Sequence, residues 1–334
     1  MSTTTSHDHH SRRTALKLAV GAGLAAAALP LAAQTPQAQG RTDVAPSGSY
    51  KITIGRIELH LVADGTLEIP LAQTFAINGD LHAAKRQLRE RYLPAEGPGP
   101  VPVNGLLIKA PDATILIDAG AGPGFQPGGG HLGAHLRALG VTPDDLDAVV
   151  LTHMHFDHMR GLIAEGSRDL FASAEILMPT IERDFWAARP ALDECLADEG
   201  TKENLRTAAT DVLGALGTRL RTITTTEQLA TGVRLVPLPG HTPGHVGVEI
   251  ESEGEQLLYI SDLFHVAALH LPRPDWFAAF DTDGPAAVET RRTTLDRVAA
   301  DRLRIAGTHI PFPGTGHVRR DGAAYDWQPD VWRF

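Results

Sequence analysis

One cysteine, Cys195, is all that the chain has in 334 residues. No disulfide can close within it and no thiolate cluster can hold a metal, so Cys195 reads as a lone thiol in a helical stretch. Positive charge is also short: 30 Lys and Arg face 40 Asp and Glu, a formal charge of -10 that repels a phosphate backbone and excludes nucleic acid as a partner. The alanine-rich run from Leu18 to Ala33 is short for a membrane-spanning helix and carries Gly21, Gly23 and Pro30, so no stable anchor is expected. What the chain does have is 43% hydrophobic content, enough for a sizeable core, and 16 histidines.

The N-terminus reads as an export signal over residues 1–33. Ser11-Arg12-Arg13-Thr14-Ala15-Leu16-Lys17 precedes the apolar run, and polar Gln34-Thr35-Pro36-Gln37 follows it. The paired arginines resemble a twin-arginine signal, although Ala15 stands where a larger apolar residue is usual. A periplasmic or secreted protein is expected, with His7, His9 and His10 discarded with the signal. Residues 34–48, rich in Gln, Pro, Gly and Ser, read as a linker, and 49–334 as one domain.

Within that domain, alternation at Ile52, Ile54, Ile57, Leu59 and Leu61 predicts strands, with Asp64-Gly65 as a tight turn. Residues 70–104, with Pro94, Pro98, Pro100 and Pro102, read as a long surface excursion. Leu106–Lys109 and Thr114–Ile117 form a hairpin around Pro111-Asp112. Strands are then expected at Ala148–Leu151, Ile176–Met178, Leu235–Leu238, Val246–Ile250 and Leu257–Ile260, with Leu303–Ala306 as the last. Helices fall at His131–Leu139, Ile181–Ala188, Asn204–Leu216 and from Gly284-Pro285 to about Ala299. The order implies two sheets covered by helices, an α/β fold.

The densest chemistry is Thr152-His153-Met154-His155-Phe156-Asp157-His158, four potential ligands within six residues directly after a buried strand. Imidazole and carboxylate suit zinc and similar divalent metals, and burying four such groups for packing alone leaves each needing its own partner. One loop cannot fill two coordination shells. His241, Asp262 and His309, each following a predicted strand, supply the remainder.

This pattern resembles the dinuclear metallo-β-lactamase superfamily. Asp64-Gly65-Thr66, Asp118-x-Gly120, Gly240-His241-Thr242-Pro243-Gly244-His245, Asp262-Leu263 and His309-x-Pro311-Phe312-Pro313-Gly314 are similar to its methyl parathion hydrolase branch, near the quorum-quenching N-acyl homoserine lactonases. The resemblance spans about residues 50–325. It implies an αββα sandwich, one metal on His153, His155 and His241, a second on Asp157, His158 and His309, and Asp262 bridging the two together with a hydroxide. Two divalent ions, zinc by ligand type, then activate water, with Asp157 and Asp262 accepting or relaying the proton. Asp118 is implied to orient a ligand imidazole, and a homodimer is implied as well.

Departures narrow the reading. The commonest metallo-β-lactamases use a cysteine where Asp262 stands, flavodiiron proteins a carboxylate at the place of His155, and glyoxalase II relatives a helical domain beyond the last ligand, where 25 residues remain here. The competing readings are a mononuclear iron persulfide dioxygenase and an exported metal-binding protein without catalysis. For the substrate, Phe125, Trp186, Phe264, Trp276 and Phe277 are expected to form an apolar mouth over the metals, suited to neutral esters, lactones or phosphotriesters. His265 stands where the resembled lactonases carry tyrosine and the parathion hydrolases an apolar residue. It is expected to be catalytic, donating to a developing oxyanion or to the leaving oxygen.

Overall fold

A computed structural model describes residues 48–331; the expected export signal and residues 34–47 of the expected linker lie outside the described residues. The first sheet contains β1 (Ser49–Ile54), β2 (Ile57–Pro70), β3 (Pro98–Lys109), β4 (Thr114–Ile117), β5 (Ala148–Val150), β6 (Glu175–Pro179) and β7 (Leu220–Ile223), side by side in that order. Its first four strands pair antiparallel and its last four parallel. The second sheet runs in order from β14 (Ala324–Pro329) through β13 (Thr315–Asp321), β12 (Arg304–Ala306), β11 (Glu255–Tyr259), β10 (Val246–Ser252) and β9 (Val233–Pro237) to β8 (Gln228–Ala230). Only β11 and β12 pair in parallel there.

Alternation along the strands builds four layers. Leu106, Ile108, Ile115 and Ile117 of the first sheet meet Leu235, Val248 and Leu257 of the second in the central core. The neighbours facing the other way, Leu107, Leu116, Val149 and Ile176, pack beneath helices instead. Strands covered on both faces read as near-continuous apolar runs for this reason. The helices are α1 (Leu71–Phe75), α2 (Leu81–Glu90), α3 (Leu132–Ala138), α4 (Phe156–Met159), α5 (Thr180–Ala187), α6 (Glu199–Leu216), α7 (Ala267–His270) and α8 (Gly284–Ala300). Leu136 of α3, Trp186 of α5 and Leu205 and Val212 of α6 cover the first sheet. Leu295 and Val298 of α8 cover the second against Leu258 and Ile305. This is the αββα sandwich that the sequence leads one to expect. No described helix is long and apolar enough to cross a membrane.

Three expectations need correction. Asp64-Gly65 is not a tight turn: β2 continues through it, with the register slipping between Ala63 and Gly65. Gly65 has φ +131, and a Cβ there would collide with the carbonyl of Gly128. Asp64, fully buried, accepts the N–H groups of Ala121, Gly130 and Leu132, so its carboxylate organises a neighbouring loop. Residues 70–104 are not one excursion either; α1, α2 and the first half of β3 occupy them. Pro98, Pro100 and Pro102 stand opposite Pro70, Glu68 and Thr66 of β2. In an antiparallel pair alternate residues turn their N–H and C=O away from the partner, so prolines two apart cost the ladder nothing. Lastly, Leu303–Ala306 is not the last strand: β12 is followed by the β13–β14 hairpin, turned at Asp321-Gly322.

Candidate metal centre

The carboxyl ends of the strands of both sheets converge at one rim. Asp118 follows β4, His153 to His158 follow β5, His241 follows β9, Asp262 follows β11 and His309 follows β12. All seven expected ligands are buried there: His153 and His158 are 0% exposed, and none of the seven exceeds 7%. Their donor atoms fall into overlapping groups within 4.8 Å: His153, His155 and His241; Asp157, His158 and His309; His153, His158 and Asp262; and His241, Asp262 and His265. Asp262 lies at the middle. Its Oδ2 is 3.7 Å from His153 Nε2, 3.4 Å from His241 Nε2 and 3.0 Å from His309 Nε2, and its Oδ1 is 3.2 Å from His158 Nε2.

These residues fit a pair of divalent metals. On four of the five ligand histidines the nitrogen turned away from the cluster is tied: His158 Nδ1 to Asp118 at 2.8 Å, His241 Nδ1 to Asp281 at 2.7 Å, His309 Nδ1 to the carbonyl of Pro102 at 2.7 Å and His153 Nδ1 to Thr152 Oγ1 at 3.1 Å. Bonds of this kind fix the tautomer and leave Nε2 as the lone-pair donor. Nε2 of His153 and of His158 are buried without a hydrogen-bond partner, a costly arrangement that a bound cation relieves. The electrostatics agree. Burial, reinforced by neighbouring histidines, holds His153 and His155 well below the usual imidazole range. Against burial, Asp262, Asp118 and Asp157 raise His158 well above it, and the bonds to Asp262 and Asp281 raise His241 to about 9. Burial would also lift Asp262, but His158, His309 and His153 hold it well below the carboxylate range. Asp118, Asp157, Asp262 and Asp281 thus favour positive charge on His158 and His241, which a divalent cation would replace with release of protons.

Backbone geometry at the rim is specialised. Asp118 has φ 63 and Ser261 φ 45, left-handed conformations at the ends of β4 and β11 that re-aim the chain at the centre. Asp118, expected to orient an imidazole, bonds His158 and also accepts the N–H and hydroxyl of Thr152. Further buried groups brace the ligands and were not singled out in the sequence. Asp281 orients His241. Glu182 of α5 accepts bonds from Met154, Trp186, Thr242 and Gly244. Arg291 of α8, 1% exposed, donates to the carbonyls of Leu263, Pro274 and Trp276 and faces Asp281 at 3.8 Å. His245 Nε2 accepts the N–H of Asp262 while its Nδ1 meets the Leu238 carbonyl. Of these residues only His245 stands within a motif read from the sequence, Gly240-His241-Thr242-Pro243-Gly244-His245.

An inner chamber of about 20 Å³ opens on Asp157, Asp262 and His309, and an outer one of about 460 Å³ opens on α6. Leu67, Ile69, Phe156 and Phe280 line both and form the apolar collar between them. His265 lines the inner chamber, stacked between Phe75 and His309, with Nε2 3.2 Å from Asp262 Oδ2. Burial first, against the pull of Asp262, lowers it to about 4, so it is neutral near pH 7. Of the residues expected at the mouth, Phe125 lines the outer chamber, tilted on Phe156. Trp186, Phe264 and Trp276 do not line either chamber: at 0%, 0% and 1% exposure they belong to three separate apolar clusters. Phe264 and Trp276 pack in the helical layers, and Trp186 lies behind the rim with its ring 5.9 Å from that of His155, a distinction that aromatic content alone does not carry. Phe277 packs over Gly284, where a Cβ would collide with its ring.

Residues 98–164 match the metallo-beta-lactamase superfamily. The chain is 28% identical over 188 residues to the probable metallo-hydrolase Rv2300c of Mycobacterium tuberculosis, covering 48% of this chain and 56% of that protein. It is 27% identical over 208 residues to the N-acyl homoserine lactonase AiiB of Agrobacterium fabrum, covering 52% of this chain and 66% of the relative. The chain thus spans little more than half the length of the first of these. Among solved structures it is similar to AidC, a dizinc quorum-quenching lactonase in complex with the product N-hexanoyl-L-homoserine, with a TM-score of 0.80, 27% identity and coverage of 86% of this chain and 99% of that one. The fold, the ligand order and these similarities agree: the chain carries the metallo-beta-lactamase fold and is similar to that superfamily.

Proposed function

We propose that this protein is an exported metal-dependent hydrolase, zinc-loaded at both positions, that opens ester and lactone bonds of neutral apolar substrates, with phosphotriesters as a secondary class. The observation that carries the reading is the seven-ligand cluster at the floor of a chamber entered through an apolar collar. His153, His155 and His241, Asp157, His158 and His309, together with Asp262, would hold the divalent ions, which would supply a water of lowered pKa and Lewis acidity toward a carbonyl or phosphoryl oxygen. The protein's residues do the rest. Leu67, Ile69, Phe156 and Phe280 exclude water and admit an apolar chain. Asp157 and Asp262 are placed to take up or relay the proton as the bond opens, and His265 to donate its N–H toward the departing oxygen.

Elemental analysis of the purified protein beside a panel of lactones, aryl esters and phosphotriesters tests this. Two zinc ions per chain with lactone or ester turnover are expected. One iron with oxygen uptake would establish the dioxygenase reading instead, and no turnover with any member would leave a binding protein. Run on the same panel, His265→Leu should lose about a hundredfold on lactones and less on phosphotriesters. Equal rates throughout would remove His265 from catalysis. Replacing Arg12 and Arg13 by lysines should retain the protein in the cytoplasm; an unchanged periplasmic yield would point to the general secretory route.

A further inference from the structure

Glu182 is a buried acid, 0% exposed, in the first turn of α5, and nothing in the hydrolytic chemistry calls for it. Its two oxygens are divided between two ligand-bearing segments. Oε1 accepts the Met154 N–H at 2.9 Å and the Trp186 indole N–H at 2.7 Å. Oε2 accepts the Thr242 hydroxyl at 2.7 Å and the Gly244 N–H at 3.0 Å. Met154 lies between His153 and His155, and Thr242 directly follows His241. Four donors on two oxygens satisfy an ionised carboxylate fully, although burial pushes its pKa up. The approach is close enough to dictate sequence: a Cβ on Gly244 would collide with the backbone of Glu182. The other metal group is braced elsewhere, at His158 by Asp118 and at His309 by the Pro102 carbonyl.

We propose that Glu182 is a positioning residue for the His153, His155 and His241 group, setting the affinity of that group for a divalent cation while leaving the Asp157, His158 and His309 group unaffected. The inference rests on the two-metal reading above. A backbone bond from Val246 N to Thr152 O, 3.2 Å, also joins the two segments, so loss of the carboxylate loosens the histidines without detaching them. In Glu182→Gln one oxygen becomes an amide NH₂ facing donors, and at least one of the four bonds is lost.

The test is titration of the metal-free protein with Zn²⁺ against a chromophoric chelator, with the Co²⁺ absorption spectrum as a second readout. The parent should take up two ions. Glu182→Gln should keep one at parental affinity and bind the other about tenfold to a hundredfold more weakly. Thr242→Val, which removes one bond and keeps the carboxylate, should shift the same ion by a smaller factor. His309→Ala should weaken the opposite ion, and at one Co²⁺ per chain its spectrum should differ from that of Glu182→Gln. Unchanged affinities in both Glu182→Gln and Thr242→Val, or equal weakening of both ions, would overturn the proposal. A parent that binds a single ion would instead remove the two-metal reading, and this inference with it.

Discussion

The two halves of the metal centre are held by different kinds of support. On one side, His309 leans on β3: its Nδ1 meets the Pro102 carbonyl, while Asn104 donates from Nδ2 to the carbonyls of Thr308 and Ile310 and from its backbone N–H to Thr308. The prolines that turn their polar groups away from β2 are what make this edge available. On the other side, His241 is oriented by the carboxylate of Asp281 and steadied by backbone bonds from Thr282 to His241 and from Asp283 to Gly240. One half is thus fixed at His309 by the backbone of a core strand, with the carboxylate of Asp118 behind His158, whereas the other is held by the buried acids Asp281 and Glu182 from a connection and a helix. A carbonyl support survives any side-chain substitution at its own position, whereas a carboxylate support can be removed with one atom. The difference makes the histidine-rich half the more easily tuned.

The largest effect is expected where the halves meet. Asp262→Ala removes the one carboxylate that faces both groups, and turnover should fall by roughly a thousandfold or more on every substrate cleaved. Near-parental rates would show that the centre does not depend on a shared carboxylate. Next comes Arg291, whose guanidinium joins the residue after Asp262 to the acid behind His241. Arg291→Met leaves three carbonyls and Asp281 without their cation, and breaking a buried pair of this kind costs about 3–5 kcal/mol. Thermal unfolding of metal-free protein should register it as a lowered Tm, and an unchanged Tm would mean that the guanidinium is dispensable.

A smaller pair of substitutions separates the halves directly. Asp118→Asn should weaken metal binding about tenfold to a hundredfold through His158, and Asp281→Asn by a similar factor through His241. Because Asp118 also reaches His153 by way of Thr152, its variant should disturb both ions, and Asp281→Asn mainly one. Chelator competition that finds the reverse would undo the comparison.

The ligands were legible because their chemistry is dense: four ligating side chains between His153 and His158 have no economical use in a core, and strand ends at His241, Asp262 and His309 follow from β patterning. Asp118 was legible from its motif. Glu182, Asp281 and Arg291 were not, since each is an isolated charged residue in an ordinary helical or loop pattern, and only the tertiary contact reveals that its charge is buried. The β13–β14 strands escaped because charge falls on both faces, Arg319 and Asp326 on one and Arg320, over Tyr325 and paired with Asp296, on the other, which blurs the apolar alternation. Trp186, Phe264 and Trp276 were misplaced because ring content says nothing of which layer a ring faces.

The collar residues Leu67, Ile69 and Phe280 were missed for the complementary reason: they come from β2 and from the segment before α8, brought together only by the packing of the first sheet against the loops. Phe280 is the one whose removal should matter least to chemistry and most to selection. Its ring lies 6.4 Å from that of His155 and 6.2 Å from that of Phe75, and it carries no hydrogen bond to a ligand. Phe280→Ala should therefore widen the collar and leave the braces untouched. The expected result is KM raised about threefold to tenfold for substrates with long apolar chains, where ring contact is lost, with kcat changed less than about twofold. Short-chain substrates should show little change in either. A comparable fall in kcat for short and long chains would place Phe280 among the groups that hold the centre, and the boundary between collar and metal site would have to be redrawn one residue deeper.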